Sequence, residues 1–194
     1  MSRRIFIWVA HPKENSLCRG MADAYQTGVE AKGGEVRRID LCDMRFDLNT
    51  DGYGADATPL EPDLIAWQEA VAWADHILIV HPYWWGAMPT KAKAVIDRAL
   101  APGFAFKYHR RGLGWDKLLT GKTADVMITS DTPPLLDTLL YWRPGRRVLI
   151  NQILGFCGVK TRRALQFGSV KTAAPEKIRA WIDRARTLGV RAAA

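Results

Sequence analysis

Five short runs of apolar and β-branched residues constrain this chain more than any other feature: Arg4–Ala10, Glu35–Leu41, His76–His81, Thr123–Thr129 and Thr161–Phe167. The first, third and fourth are almost wholly apolar, the pattern of strands buried on both faces, as in parallel sheets. Stretches with helical spacing separate them. Leu17, Met21, Tyr25 and Gly28-Val29 recur at helical intervals and stop at Gly33-Gly34. Leu64, Trp67-Gln68, Val71 and Ala74 do the same behind Pro62, a first-turn residue. Ala92, Val95-Ile96 and Ala99-Leu100 follow Pro89, and Ile178, Trp181-Ile182 and Ala185 follow Pro175. Leu135–Trp142 and Arg147–Leu154 read as two helical pieces split by Pro144-Gly145. Strand and helix thus alternate, and right-handed crossovers wind that order into an α/β three-layer sandwich around a parallel sheet.

With 194 residues and neither an internal repeat nor a linker, the chain is expected to form a single domain over residues 1–194. A hydrophobic share of 48% against 25% charged residues excludes a disordered chain. Cys18, Cys42 and Cys157 lie far apart, with no C-x-x-C and no Cys/His cluster, which argues against structural zinc and thioredoxin-type chemistry. Reduced thiols, no metal and a cytoplasmic location are the expectation. The basic Met1–Arg4 leads into an apolar run that stops at His11-Pro12, so it reads as a strand and not as a signal peptide. No stretch approaches the roughly 20 apolar residues of a membrane span, so no membrane insertion is expected. The net charge of +8 is scattered over pairs such as Arg37-Arg38, Arg110-Arg111, Arg146-Arg147 and Arg162-Arg163. That pattern fits a solvated basic surface, or attraction of anionic cofactors, and not a nucleic-acid-binding stripe. Two long excursions, Cys42–Leu60 and Ala101–Gly121, interrupt the alternation, and the second carries Phe104, Phe106, Tyr108 and Trp115.

In a doubly wound sheet, ligands bind beyond the carboxyl ends of the strands where the strand order reverses. For the order 2-1-3-4-5 that point lies between strands one and three. After strand one, His11 to Arg19 delivers Asn15-Ser16 to a helix start, where free amides and the helix dipole favour a phosphate and Arg19 adds charge. An ordinary N-cap explains the same residues, and no G-x-G-x-x-G is present. After strand three, Pro82-Tyr83-Trp84-Trp85-Gly86-Ala87-Met88-Pro89 offers flat faces for a planar ring, with Gly86 allowing close backbone approach. Aromatics packed into a core or a dimer interface are the alternative. After strand four, Ser130-Asp131-Thr132-Pro133-Pro134 is stiff enough to cradle the other side of a flat ligand, or to be a plain Asx-type turn. No G-x-S-x-G elbow occurs. Of the four histidines, His11 is the candidate to donate a hydrogen bond or relay a proton at this site, and His81 reads as a strand-end residue.

Taken together and in order, these segments resemble the flavodoxin-like NAD(P)H dehydrogenase (quinone) family, which includes DT-diaphorase and its bacterial relatives. The likeness runs from about Ile5 to Val170 and is strongest from Ala74-Asp75-His76 to Ile96-Asp97-Arg98. Pro102-Gly103-Phe104-Ala105-Phe106, Ile39-Asp40-Leu41 with Asp43-Met44 and Phe46-Asp47, and Phe156-Cys157-Gly158 extend it. The resemblance implies a flavodoxin-like sandwich with a five-stranded parallel sheet of order 2-1-3-4-5. It implies a bound flavin, FMN in preference to FAD, NAD(P)H as donor, a quinone-like acceptor, and a homodimer with active sites at the subunit interface. It also implies that His11, Ser16, Leu17 and Cys18 lie along the ribityl and phosphate part of the flavin. Pro82, Tyr83, Trp84, Trp85 and Gly86, with Ser130, Asp131, Thr132 and Pro133, would contact its ring. Phe104, Phe106 and Tyr108 would line the partner's substrate pocket. Asp131-Thr132-Pro133-Pro134 replaces the glycine-rich loop of DT-diaphorase, and that enzyme's proton-relay tyrosine and histidine have no counterpart here. An electron carrier of the flavodoxin type, or a regulatory subunit of a membrane transport system, is the alternative reading.

Overall fold

The computed structural model describes residues 2–49, 52 and 58–194, so part of the Cys42–Leu60 excursion lies outside the described residues. The chain runs β1 (Arg4–Val9), α1 (Leu17–Glu30), β2 (Glu35–Asp40), α2 (Pro62–Trp73), β3 (His76–Pro82) and α3 (Thr90–Ala99). There follow β4 (Phe106–Tyr108), β5 (Trp115–Lys117), β6 (Thr123–Thr129), α4 (Pro134–Leu139) and α5 (Pro144–Arg147). A π-helical stretch, Val148–Leu154, leads into α6 (Gly155–Cys157), then β7 (Lys160–Phe167) and α7 (Pro175–Ala193). The main sheet has five strands in the order β2-β1-β3-β6-β7, every neighbouring pair parallel. With the short β4–β5 pair set aside, that is the expected 2-1-3-4-5.

The apolar runs form strands because each face of the sheet has a helical layer to bury it. Phe6, Trp8, Ile79, Val126 and Ile128 point to one face, where α2 and α3 supply Leu64, Trp67 and Val95. Trp67 meets the edges of Trp8 and Phe6 at ring separations of 5.3 and 6.0 Å. Ile5, Ile7, Val9, Leu78, Val80 and Met127 point to the other face, covered by Met21 and Tyr25 of α1 and Leu188 of α7. Helices α1 and α7 approach closely because two glycines let them. A Cβ on Gly28 would overlap the Arg186 carbonyl oxygen, and one on Gly189 would overlap that of Tyr25. The edge strands β2 and β7 are only partly buried and carry Arg37, Arg38, Arg162 and Arg163, charges that discourage edge-to-edge pairing.

The structure departs from the sequence reading in three places. The Ala101–Gly121 excursion contains an antiparallel pair, Phe106 opposite Lys117 and Tyr108 opposite Trp115. The break between the two helical pieces falls at Trp142 and Arg143, both left-handed, and Pro144 starts the second piece instead of splitting it. Helix α7 continues from the expected Ala185 to Ala193.

A buried polar network closes the amino end of the sheet. The Tyr25 hydroxyl is hydrogen-bonded to His76 Nε2 at 3.0 Å, and His76 Nδ1 to Thr123 Oγ1 at 2.8 Å. Arg163 donates to Asp125 Oδ2 at 3.2 Å. Burial, opposed by Asp125, holds His76 below its ordinary value. Burial also sets His81 low, at about 4, while its Nδ1 bonds the Pro82 carbonyl at 3.0 Å.

Two outcomes follow from this packing. Gly189→Ala forces α1 and α7 apart and should lower stability by about 1–3 kcal/mol, read from the urea midpoint. Because the folded pKa values of His76 and His81 are depressed, their contribution is complete above about pH 6.5. It is lost as pH falls towards the folded value of His81, about 4. The urea midpoint should therefore drop between pH 7 and pH 4, and the drop should be shallower in His81→Asn; an equal drop in that variant removes His81 from the account.

Candidate functional site

The carboxyl ends of β1, β3 and β6 open on one side of the sheet, and two adjoining clefts occupy that side. The first holds about 240 Å³ and is walled by His11, Ser16, Leu17, Cys18, Pro82 and Trp84. The second holds about 520 Å³ and is walled by Trp85, Gly86, Thr132, Asp137, Tyr141 and Pro144. Tyr83, Ser130 and Asp131 line both.

Ser16 is the N-cap of α1, its backbone extended at φ −141° and ψ 152° and its Oγ accepting from the Arg19 amide at 3.2 Å. The amides of Leu17 and Cys18 precede the first intrahelical bond, and α1 has no acidic residue in its first turn. This end of the first cleft is therefore a donor-rich pocket for an anion. Arg19, expected to add charge there, is shared between Glu14 and Asp40, each at 3.5 Å. Cys18 Sγ lies 3.3 Å from Thr129 Oγ1, and burial pushes its thiol up to about 12, so it supplies shape and a backbone amide but no thiolate. His11 Nδ1 accepts the Lys13 amide at 3.0 Å, which assigns the proton of the neutral ring to Nε2. Burial holds His11 below the usual histidine value, so at neutral pH it is a hydrogen-bond donor and not a cation. Its ring meets Trp84 edge-on at 5.8 Å.

The aromatic loop after β3 is a tight turn. The Trp84 amide donates to Ala87 O at 2.8 Å, and the Ala87 amide donates back at 3.2 Å. Trp85 (φ 54°) and Gly86 (φ 74°) occupy its two left-handed positions, the pattern of a type I′ turn. Glycine takes that conformation freely. A tryptophan does not, and Trp85 also has its whole side chain in solvent, at 105% relative exposure. Gly145, at the start of α5, supports the turn from beneath: a Cβ there would overlap the Gly86 carbonyl oxygen. The sequence marks Gly145 as a helix breaker, and only the tertiary contact reveals its second role.

The opposite wall is fixed just as firmly. Ser130 Oγ donates to the Thr132 carbonyl at 2.7 Å and accepts from Gln166 Nε2 at 3.0 Å. Asp131 Oδ1 accepts the Lys171 amide at 2.9 Å. Pro133 stands just outside both clefts, its carbonyl accepting the Asp137 amide at 3.0 Å as α4 begins. At the floor, Asp137 Oδ2 is buried with no hydrogen-bond partner among the described residues, and the buried Tyr83 hydroxyl faces the Arg146 backbone amide. Burial, reinforced by Asp137, raises Tyr83 to about 12, so its hydroxyl keeps its proton. Asp137 was missed in the sequence, although a lone acid among the leucines of Pro134–Leu139 is a detectable signal. Phe104, Phe106 and Tyr108 do not line either cleft. Phe106 and Tyr108 cluster with Phe156 at 5.0 and 6.5 Å, and Trp115 stacks on Phe156 at 4.5 Å.

A parallel doubly wound sheet with a phosphate-suited helix start and an aromatic cleft at its switch point defines a doubly wound α/β protein with its clefts where such sheets bind ligands. Residues 3–188 match the family model described as the flavodoxin-like fold, and the chain belongs to that family. The chain is 28% identical to rat NAD(P)H dehydrogenase [quinone] 1 over 55% of its own length and 46% of that protein. It is 26% identical to an uncharacterized NAD(P)H oxidoreductase of Haemophilus influenzae over 91% and 89% of the two chains. The first curated relatives are longer, and the chain spans 46% to 58% of their length. A solved FMN-dependent NADH-azoreductase of Bacillus anthracis in complex with FMN superposes with a TM-score of 0.73 at 18% identity, covering 99% and 100% of the two chains.

Trp85→Asn places a residue tolerant of the left-handed region at the turn and should raise the stability of the ligand-free protein by about 1 kcal/mol. An unchanged or lower urea midpoint would show that the turn holds no strain.

Proposed function

We propose that this chain is a flavin-dependent NAD(P)H oxidoreductase that passes reducing equivalents from NAD(P)H to a quinone or a similar small acceptor. One observation carries the reading. A donor-rich pocket at the start of α1 and an aromatic-walled cleft adjoin at the same switch point and share Tyr83, Ser130 and Asp131. The first suits a phosphate with its polar chain, the second a planar ring. The activities in the names of the rat and Haemophilus relatives support the same reading, and the azoreductase supports FMN over FAD.

FMN, when bound, supplies the hydride and electron chemistry between donor and acceptor. This chain's own residues hold and orient. Ser16 and the first amides of α1 bind the phosphate, with His11 Nε2–H as a further donor beside Trp84. The Trp84–Ala87 turn, braced by Gly145, and the Ser130–Thr132 turn, braced by Gln166, fix two walls of the ring site before any ligand arrives. Trp85 is the wall that a flat ligand covers, which gives its exposure and backbone strain a purpose. The Tyr83 hydroxyl keeps a proton beside Asp137 at the floor. A homodimer belongs to the proposal: Leu135, Leu139 and Leu140 of the α4 region stand 69%, 69% and 58% exposed beside the cleft, an apolar face for a second copy. Phe104, Phe106 and Tyr108 would then reach the partner's substrate cleft. We place the protein in the cytoplasm as one domain; among the described residues no helix is long and apolar enough to cross a membrane.

Titration with FMN, followed by quenching of flavin fluorescence, tests the site. Trp85→Ala should weaken binding about tenfold, the worth of one aromatic stacking contact. Equal affinity in that variant removes Trp85 from the ring site. The reconstituted wild type should oxidise NAD(P)H in the presence of a soluble quinone; flavin binding without turnover would leave an electron carrier.

A further inference from the structure

On the other side of the Tyr141–Pro144 turn lies a third cavity of about 530 Å³, walled by Thr138, Trp142, Arg143, Arg146, Arg147 and Ile150. Tyr141 and Pro144 face the ring-side cleft, and Trp142 and Arg143 face this one, so a single turn forms the wall between them. Three guanidiniums lie within five positions, and none forms an ion pair among the described residues. Arg143 donates its Nε to Thr138 Oγ1 at 2.7 Å, which orients the guanidinium; its two terminal nitrogens have no partner among the described residues. Arg146 is anchored through one terminal nitrogen to the Ala164 carbonyl at 3.1 Å. The exposed Arg147 side chain has no partner among the described residues. Burial and the neighbouring Arg143 charge hold Arg146 below the usual arginine value, opposed by Tyr83 and Asp137 on its other side.

The cavity also has an unused flat surface. Trp142 is 72% exposed, and it and Arg143 adopt left-handed backbone, φ 60° and 55°. Two successive side chains in that region are strained, and strain of this kind is kept at ligand clamps. An exposed indole beside oriented guanidiniums matches a ligand that is aromatic at one end and multiply anionic beside it. Guanidiniums bind a phosphomonoester through paired, charge-assisted hydrogen bonds.

We propose that this cavity binds the adenosine 2′-phosphate end of the nicotinamide donor, the adenine against Trp142 and the 2′-phosphate on Arg143 and Arg147, so that NADPH is preferred to NADH. The inference rests on the reductase function proposed above and deepens it. The nicotinamide end would occupy the ring-side cleft, and the dinucleotide would cross the Tyr141–Pro144 turn.

The test is calorimetric titration of the FMN-reconstituted protein with adenosine 2′,5′-bisphosphate, 5′-AMP and inorganic phosphate. The bisphosphate should bind at least about tenfold more tightly than 5′-AMP, the worth of one charged contact. Arg143→Ala and Arg147→Ala should each erase most of that difference and leave 5′-AMP nearly unchanged. Trp142→Ala should weaken both nucleotides alike. Arg147 has no partner to lose, so its variant separates ligand binding from misfolding. In steady state, Arg147→Ala should raise KM for NADPH and not for NADH. Equal affinity for the two nucleotides, inorganic phosphate binding as tightly as the bisphosphate, or full discrimination surviving in Arg147→Ala would each overturn the proposal. Reduction of the bound flavin by NADH and NADPH with equal efficiency would overturn it while sparing the reductase reading; failure of both donors would sink that reading instead.

Discussion

The parallel pairing of β1 with β3, from Ile5 opposite His76 to Val9 opposite Val80, leaves two central strands covered on both faces and with no solvent-facing side. Buried polar groups without partners are costly, so such strands confine reactive chemistry to their ends. At the amino end the polar residues satisfy one another in the Tyr25–His76–Thr123 network. At the carboxyl end β1 turns towards α1 and β3 towards α3, and the crossovers leave to opposite faces. The cleft between them is a consequence of topology. Its walls then depend on what the three exiting loops carry: a capping serine, an aromatic turn and a polar turn.

Those loops are braced by contacts distant in sequence. Gly145 lies beneath Gly86, Gln166 of β7 bonds Ser130, and Asp131 accepts the Lys171 amide. The candidate site is therefore braced along two walls and strained along a third. Trp85, Trp142 and Arg143 are left-handed non-glycine residues around the ring-side and arginine-lined cavities. Strained backbone of this kind is sustained by surrounding structure and relieved or exploited on binding.

The main sheet was legible because its three central strands are nearly uniform apolar segments, and its two charged edge strands are short β-branched runs set between helical patterns, none of which needs tertiary information. Even their ends matched closely; β3 runs one residue past the expected His81, to Pro82. The phosphate-suited helix start and the aromatic loop were legible too, since the doubly wound order dictates where ligands bind and the residues just beyond β1, β3 and β6 can be read off. What could not be read depends on long-range contact or on very short elements. Strands β4 and β5 have three residues each, too few to show alternation. Gly145 looks like a breaker until it is found under Gly86. The proximity of Asp137 to Tyr83 joins a residue of α4 to one in the loop just past β3. Arg146-Arg147 looked like one of several scattered basic pairs, and only the turn at Trp142-Arg143 gathers it with an indole around a cavity.

The central claim is that a flavin held between these loops takes electrons from a nicotinamide donor. The most direct measurement is the visible spectrum of the FMN-loaded protein, recorded anaerobically before and after one equivalent of NADPH and again after a quinone is added. The account predicts a yellow protein that bleaches promptly and regains its colour with the quinone. A protein that takes up no flavin, or a yellow one that neither NADPH nor NADH bleaches, would contradict it.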